Sequence, residues 1–153
     1  PKERAAAFAS LFFIGITAGR FLSGFLAETL GDRKLIRIGT GIIAIGILCL
    51  LLPKLPEAAA IGGFVVIGLG CAPIYPSIIH STPYNFGKEN SQAIIGIQMA
   101  SAYIGSTLMP PLFGLIANHI SIKLLPFFLI VFFSIMILMI EKTYRKTGQK
   151  ATK

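Results

Sequence analysis

The stretch GFLAETLGDRK, from Gly24 to Lys34, joins two long apolar runs through a short turn rich in glycine and charge. Outward from this turn, apolar runs fill most of the chain. They cover residues 5–27, 35–52, 58–79, 92–117 and 122–140. A helix of about 20 apolar residues crosses the hydrocarbon core of a bilayer. The sequence therefore predicts an all-α integral membrane protein with five transmembrane helices, numbered spans one to five.

The composition supports this class. Hydrophobic residues make up 54% of the chain, charged residues only 13%, and the mean hydropathy is +0.78, whereas soluble domains carry about 25% charged residues. The net charge of +8 lies in turns and at the C-terminal end rather than on one face between aromatics, which argues against a nucleic-acid partner. No catalytic motif or metal-ligand spacing is present, so we predict no enzyme activity, no cofactor and no metal.

The basic residues predict the orientation of the spans. Nine of them fall in turn one–two, turn three–four and the C-terminal end, and four fall on the other side. Loops rich in lysine and arginine stay in the cytoplasm, so residues 142–153 are expected to form a cytoplasmic basic tail. The outer group is Lys2, Arg4, Lys54 and Lys123, and the tail includes Lys150 and Lys153.

Small residues at four-residue intervals predict where helices pack closely, because little hydrophobic force brings helices together in lipid. Two spans show such stripes. Span one has Gly15, Gly19, Ser23 and Ala27, and span four has Gly96 with Ala100 and Ser101 with Gly105.

Prolines interrupt two spans. Pro73 and Pro76 follow a glycine cluster in span three, and Pro110 lies near the end of span four. Each proline removes a backbone donor and clashes with the preceding turn, so we expect kinks at all three positions. Interrupted membrane helices persist where they are buried or line a water-filled cavity. The alternative is an ordinary kink with no ligand.

Four polar residues within the spans are candidates for a substrate cavity: Arg20, Tyr75, Gln98 and Ser101. A charge at the centre of a bilayer costs about 2.5 kcal/mol or more, so Arg20 either binds an anionic or hydroxylated solute or pairs with Glu28, two turns along. Gln98 and Ser101 share one helix face. Tyr75 either stacks on a sugar ring or simply packs.

The residues of turn one–two match a known pattern, G-x-L-A-D-R-x-G-R-K. The matching positions are Gly24, Leu26, Ala27, Gly31, Arg33 and Lys34. Glu28 replaces the aspartate of the pattern, and Thr29 and Asp32 replace basic positions. From Ala5 to about Glu141, nearly its whole length, the chain resembles the C-terminal half of a major facilitator superfamily transporter. The resemblance implies that spans one to five are the eighth to twelfth of twelve helices, most of one six-helix bundle.

The resemblance also implies a function. It predicts secondary active transport of a small solute by alternating access, with Gly24, Glu28, Gly31, Arg33 and Lys34 as a gating turn on the cytoplasmic side. The expected partners are the lipid bilayer of the plasma membrane, a missing N-terminal half and a solute, with protons as a candidate coupling ion. The stretches GLGCAPIYPS and GIQMASAYIGSTLMPPLFGLIA resemble fucose-permease-like members, which suggests a sugar. A non-transporting membrane scaffold or subunit stays open as the alternative.

Overall fold

The computed structural model describes residues 2–51, 57–120 and 124–148, with side chains described within 10–51, 61–120 and 124–147. These residues form six helices joined by short connections. The helices are α1 (Lys2–Leu30), α2 (Asp32–Leu51), α3 (Glu57–Cys71), α4 (Ile74–Phe86), α5 (Lys88–His119) and α6 (Leu125–Gly148). The predicted boundaries at 52 and 122, and Lys54, Lys123, Lys150 and Lys153, lie outside the described residues.

Five stretches of the described chain are long and apolar enough to cross a membrane. They are Ser10–Leu30, Asp32–Leu51, Ile61–Phe86, Lys88–His119 and Leu125–Thr147. The third stretch combines α3 and α4. The predicted all-α class with five long apolar helices is therefore confirmed.

The chain divides into two compact units, Pro1–Ser81 and Thr82–Lys153. In the first unit, α3 packs against both α1 and α2, whereas α1 and α2 contact each other much less. The small stripe of α1 forms one of these interfaces, because Gly15 and Gly19 lie directly against the backbone carbonyls of Val65 and Leu69.

The backbones of α2 and α3 approach each other closely where two glycines cross. A Cβ atom built on Gly39 would lie 2.5 Å from the carbonyl oxygen of Gly70, and one built on Gly70 would lie 2.7 Å from the carbonyl oxygen of Gly39. Real side chains do not tolerate such separations, so the two backbones approach this closely only because neither residue has a side chain. Ile36 and Ile43 are buried on the same helix, at 2% and 5% exposure.

The second unit contains the end of α4 together with α5 and α6. Phe113 of α5 and Phe128 of α6 bring their rings to a centroid distance of 5.1 Å. Within the second unit, the small stripe of span four has no close neighbour, since no atom lies within 4 Å of a Cβ built on Gly96 or Gly105, and its helix contact stays a prediction. Spacing alone does not decide whether another helix lies opposite a small face.

Two helix ends differ from the sequence boundaries. The sequence predicts turn three–four at residues 80–90, but α4 continues through Pro83 to Phe86 and only Gly87 separates it from α5. Gly87 has a φ of 88°, which glycine adopts without steric cost. At the other end, α6 continues past residue 140 to Gly148, and an exposed Glu141–Arg145 pair at helical spacing supports this extension.

Candidate functional site

The turn between α1 and α2 is a reversal centred on Gly31. Its φ is 72°, in the left-handed region that glycine adopts without steric cost. The N–H of Gly31 donates to the carbonyl of Ala27 at 3.1 Å, which closes α1, and the N–H of Leu35 donates to the carbonyl of Gly31 at 3.2 Å, which opens α2. One residue thus ends one helix and begins the next, and it places Asp32 in the first turn of α2, where the helix dipole favours a carboxylate.

The third membrane stretch is broken in the middle. Helix α3 ends at Cys71, Ala72 and Pro73 form a turn, and α4 begins at Ile74. Pro73 and Pro76 lack an N–H, so two hydrogen bonds that would continue the helix across this point cannot form. Pro76 lies in the first turn of α4, where a missing donor costs little. The α4 segment therefore starts as a separate helical piece.

A cavity of about 470 Å³ lies in the first unit, where α1, the start of α2 and the first part of α4 meet. The lining residues of α1 and α4 each follow helical spacing and form one face of their helix. The lining is Arg20, Ser23, Gly24, Ala27, Glu28, Gly31, Asp32, Leu35, Pro73, Pro76, Ser77 and His80. Four of these side chains are charged or titratable, which is unusual within apolar helices.

A hydrogen-bonded contact between a histidine and a carboxylate lies at one side of this cavity. Nδ1 of His80 lies 2.8 Å from Oδ2 of Asp32, which joins α4 to the first turn of α2. The imidazole is largely exposed, at 72%, whereas the carboxylate is mostly covered, at 19%. The imidazole thus covers part of the carboxylate and itself stays open to solvent.

The pairing of Arg20 with Glu28, one of the two roles weighed for Arg20, is not formed. Both side chains are exposed and line the cavity, and the described residues include no ion pair between them. The acid that is paired in this region is instead Asp32. Arg33 and Lys34 are exposed in the first turn of α2 and do not line the cavity.

The remaining candidates do not converge on this cavity. Tyr75 is 40% exposed on α4 and points away from the lining face. Gln98 lies in the second unit, where its Oε1 accepts a hydrogen bond from the hydroxyl of Thr82 at 3.2 Å. Ser101 is exposed on α5, and α5 runs without interruption through Pro110. The structure thus brings Arg20, Gly24, Glu28 and Gly31 together with Pro73 and Pro76, and leaves Tyr75, Gln98 and Ser101 apart from them.

Sequence reasoning missed the cavity position of four polar lining residues: Ser23, Asp32, Ser77 and His80. One signal was present, because Pro73, Pro76, Ser77 and His80 follow the spacing of one helix face. No local pattern connects His80 to Asp32, which are 48 positions apart.

Together, the five long apolar helices, the charged cavity of the first unit and the break in the third stretch are the features of a polytopic membrane protein. The model of the Major Facilitator Superfamily matches residues 3–152, nearly the whole chain, and the chain belongs to that family of membrane transporters. It is an integral membrane protein with a role in membrane transport, and this family is not a class of enzymes. No curated protein and no solved structure matches the chain.

Proposed function

We propose that this chain is the C-terminal half of a secondary active transporter that moves a small polar solute, of the class that includes sugars, across the plasma membrane by alternating access. The observation that carries the proposal is the break between α3 and α4 beside a charged cavity. Secondary transporters build binding and gating sites where membrane helices are interrupted, because unsatisfied backbone groups and polar side chains then face water.

The side chains divide into two roles in this proposal. The turn from Gly24 to Lys34, with Glu28, Gly31 and Arg33, gates the cytoplasmic end. Arg20 contacts the solute from the cavity of the first unit. The missing N-terminal half completes the cavity, protons are the candidate coupling ion, and the C-terminal tail from residue 142 lies in the cytoplasm.

The orientation is supported by charge. Arg33, Lys34 and Arg37 follow the first turn, Lys88 begins α5, and Arg145 and Lys146 close α6. These residues occupy the helix ends that the positive-inside rule assigns to the cytoplasm.

The proposal is tested with the full-length protein in proteoliposomes. We expect uptake of at least one radiolabelled sugar or sugar acid, and no uptake when the liposomes contain residues 1–153 alone, because alternating access requires two opposed halves. Uptake by residues 1–153 alone would contradict the proposal that transport requires an N-terminal half.

A second measurement does not require a known solute. A single cysteine at Ser23, which lines the cavity, in a background without Cys49 and Cys71, is labelled from each side of the membrane by an impermeant thiol reagent. A transporter that alternates between two open states exposes this position from both sides in turn. Labelling from one side only, in every condition, would favour the non-transporting scaffold. Phe132, exposed on α6 and expected to face lipid, is the matched position and should stay unlabelled.

A further inference from the structure

We propose that α6 binds an anionic phospholipid of the surrounding bilayer, with the acyl chains along an exposed apolar stripe and the phosphate against the cations that follow it. The stripe and the cations form one side of the helix, named here the outer face of α6. Its apolar part is Phe127, Val131, Ile135, Leu138 and Met139, and its basic part is Lys142, Arg145 and Lys146. The inference rests on α6 as a membrane helix and not on the proposed function.

The spacing of these residues places both parts on the same side of α6. Each member lies three or four positions from another, and residues at that spacing share one face of a helix. The apolar members are between 47% and 65% exposed, and the three basic residues are exposed as well. The outer face is therefore open along its length in the part of the chain that the structure describes.

The opposite side of the helix end is covered. Thr147 is only 9% exposed, and Thr143 and Tyr144 are half-buried. The hydroxyls of Thr143 and Thr147 donate to carbonyls one turn earlier on the same helix, at 2.8 and 2.9 Å. The helix end thus has an inner and an outer side, and the cations lie on the outer one.

The basic part carries more positive charge than its own helix neutralises. Glu141 lies 3.5 Å from Nε of Arg145, yet the Arg145 side chain is 81% exposed. An exposed pair of this kind contributes little, and a guanidinium binds phosphate through two parallel hydrogen bonds. The described residues include no ion pair of Lys142 or Lys146. Three cations and one carboxylate leave an excess of two positive charges for an anion.

The depth of the cations favours a lipid over a soluble anion. A helix advances about 1.5 Å per residue, so the basic part lies about 3–9 Å beyond Ile140, where the apolar run ends. The headgroup layer on each side of the hydrocarbon core is about 5–8 Å thick, which places the cations at the level of lipid phosphates. A phospholipid presents chains and phosphate in the same order as this face, whereas a soluble anion matches only the basic part.

The test identifies the lipid beside α6 in the full-length protein reconstituted into bilayers. A fluorescent thiol reagent is attached at Leu138→Cys, one turn before Lys142, in a background without other cysteines. Brominated lipids quench such a fluorophore only at close range. Quenching by brominated phosphatidylglycerol and by brominated phosphatidylcholine therefore gives the lipid preference at this position.

We expect phosphatidylglycerol to be favoured about ten-fold, since each cation near an anionic membrane surface strengthens binding by up to about five-fold. The triple variant Lys142→Gln, Arg145→Gln, Lys146→Gln should lose the preference. Glu141→Gln should increase it, and a gain of this kind does not result from misfolding.

Lys88→Gln is the matched control, because it removes one exposed lysine from the end of another helix in the same unit. Lys88 begins α5, and Ser91, one turn further on, is buried. Its cation is therefore not followed by an exposed residue at that position, and the lipid preference at Leu138→Cys should match that of the parent.

The site would be overturned by equal quenching from the two lipids in the parent, or by a preference that survives in the triple variant. Absence of quenching by either lipid would also overturn it, because a protein surface would then cover the outer face. A preference lost on addition of inorganic phosphate, but not of chloride at equal ionic strength, would assign the cations to free phosphate instead. Failure of solute uptake would weaken the proposed function and leave these results unaffected.

Discussion

Helices α1 and α5 carry the same kind of small-residue stripe, yet they use it differently. Gly15 and Gly19 of α1 lie directly against the backbone of α3, whereas no atom lies within 4 Å of a Cβ built on Gly96 or Gly105 of α5. Where α5 contacts α6, aromatic rings meet instead. A small-residue stripe therefore marks a surface that permits close approach, and a partner helix must be present before that surface contributes to stability.

The glycine crossing of α2 and α3 gives the largest expected effect. Gly39→Ala should lower the free energy of unfolding by about 2 kcal/mol, because the added methyl group would lie 2.5 Å from the carbonyl oxygen of Gly70 and would force the helices apart. The measurement is denaturant or thermal unfolding of the full-length protein in detergent.

Gly105→Ala is the matched control on α5. We expect it to be neutral or to stabilise by up to about 1 kcal/mol, since alanine is favoured over glycine within helices and the site is open in its unit. A loss equal to that of Gly39→Ala would show that another surface packs on α5 and would remove the contrast between the two helices.

A second prediction concerns the turn at Gly31. Gly31→Val should destabilise by about 1–2 kcal/mol, because a β-branched side chain is strained at a φ of 72°. Gly31→Asn should cost less, since asparagine tolerates this region. Gly24→Val, in the last part of α1 with open space around it, should be near neutral. The same unfolding assay compares the three variants, and equal losses for Val and Asn would mean that backbone strain is not the cause.

The smallest effect is expected where a hydrogen bond rather than a glycine crossing joins α4 to α5. Thr82 is 1% exposed and donates its hydroxyl to Gln98 at 3.2 Å. Thr82→Val keeps the shape and removes the donor, which should cost about 1 kcal/mol. Thr143→Val is the control: the Thr143 hydroxyl bonds only its own exposed helix, so a change below about 0.5 kcal/mol is expected. If Thr82→Val and Thr143→Val lower the free energy of unfolding equally, the contact with Gln98 adds nothing to stability.

Much of the architecture was predictable because it depends on local properties. Span length and apolar content define the five membrane helices. A glycine followed directly by an acidic residue, Gly31 and Asp32, marks the reversal between the first two. The prolines at 73 and 76 lie at the point where the third span is interrupted. Each of these features follows from a few neighbouring residues.

The helix ends were predicted less well. The polar residues after His80 and after residue 140 predict a turn and a tail, yet α4 and α6 continue through them. A helix extends beyond its apolar segment as long as its backbone hydrogen bonds are satisfied, so the end of hydrophobicity is not the end of the helix.

The sequence by itself determined the membrane class, the number of spans, the family and the glycine reversal, because hydropathy, length and local backbone freedom do not require knowledge of neighbours. Only the tertiary structure decided which small stripe has a partner, that Arg20 and Glu28 remain apart, and that Asp32 meets His80. Those contacts depend on where α3 and α4 cross the other helices. A crossing point is set by the packing of whole faces and is encoded in no single segment.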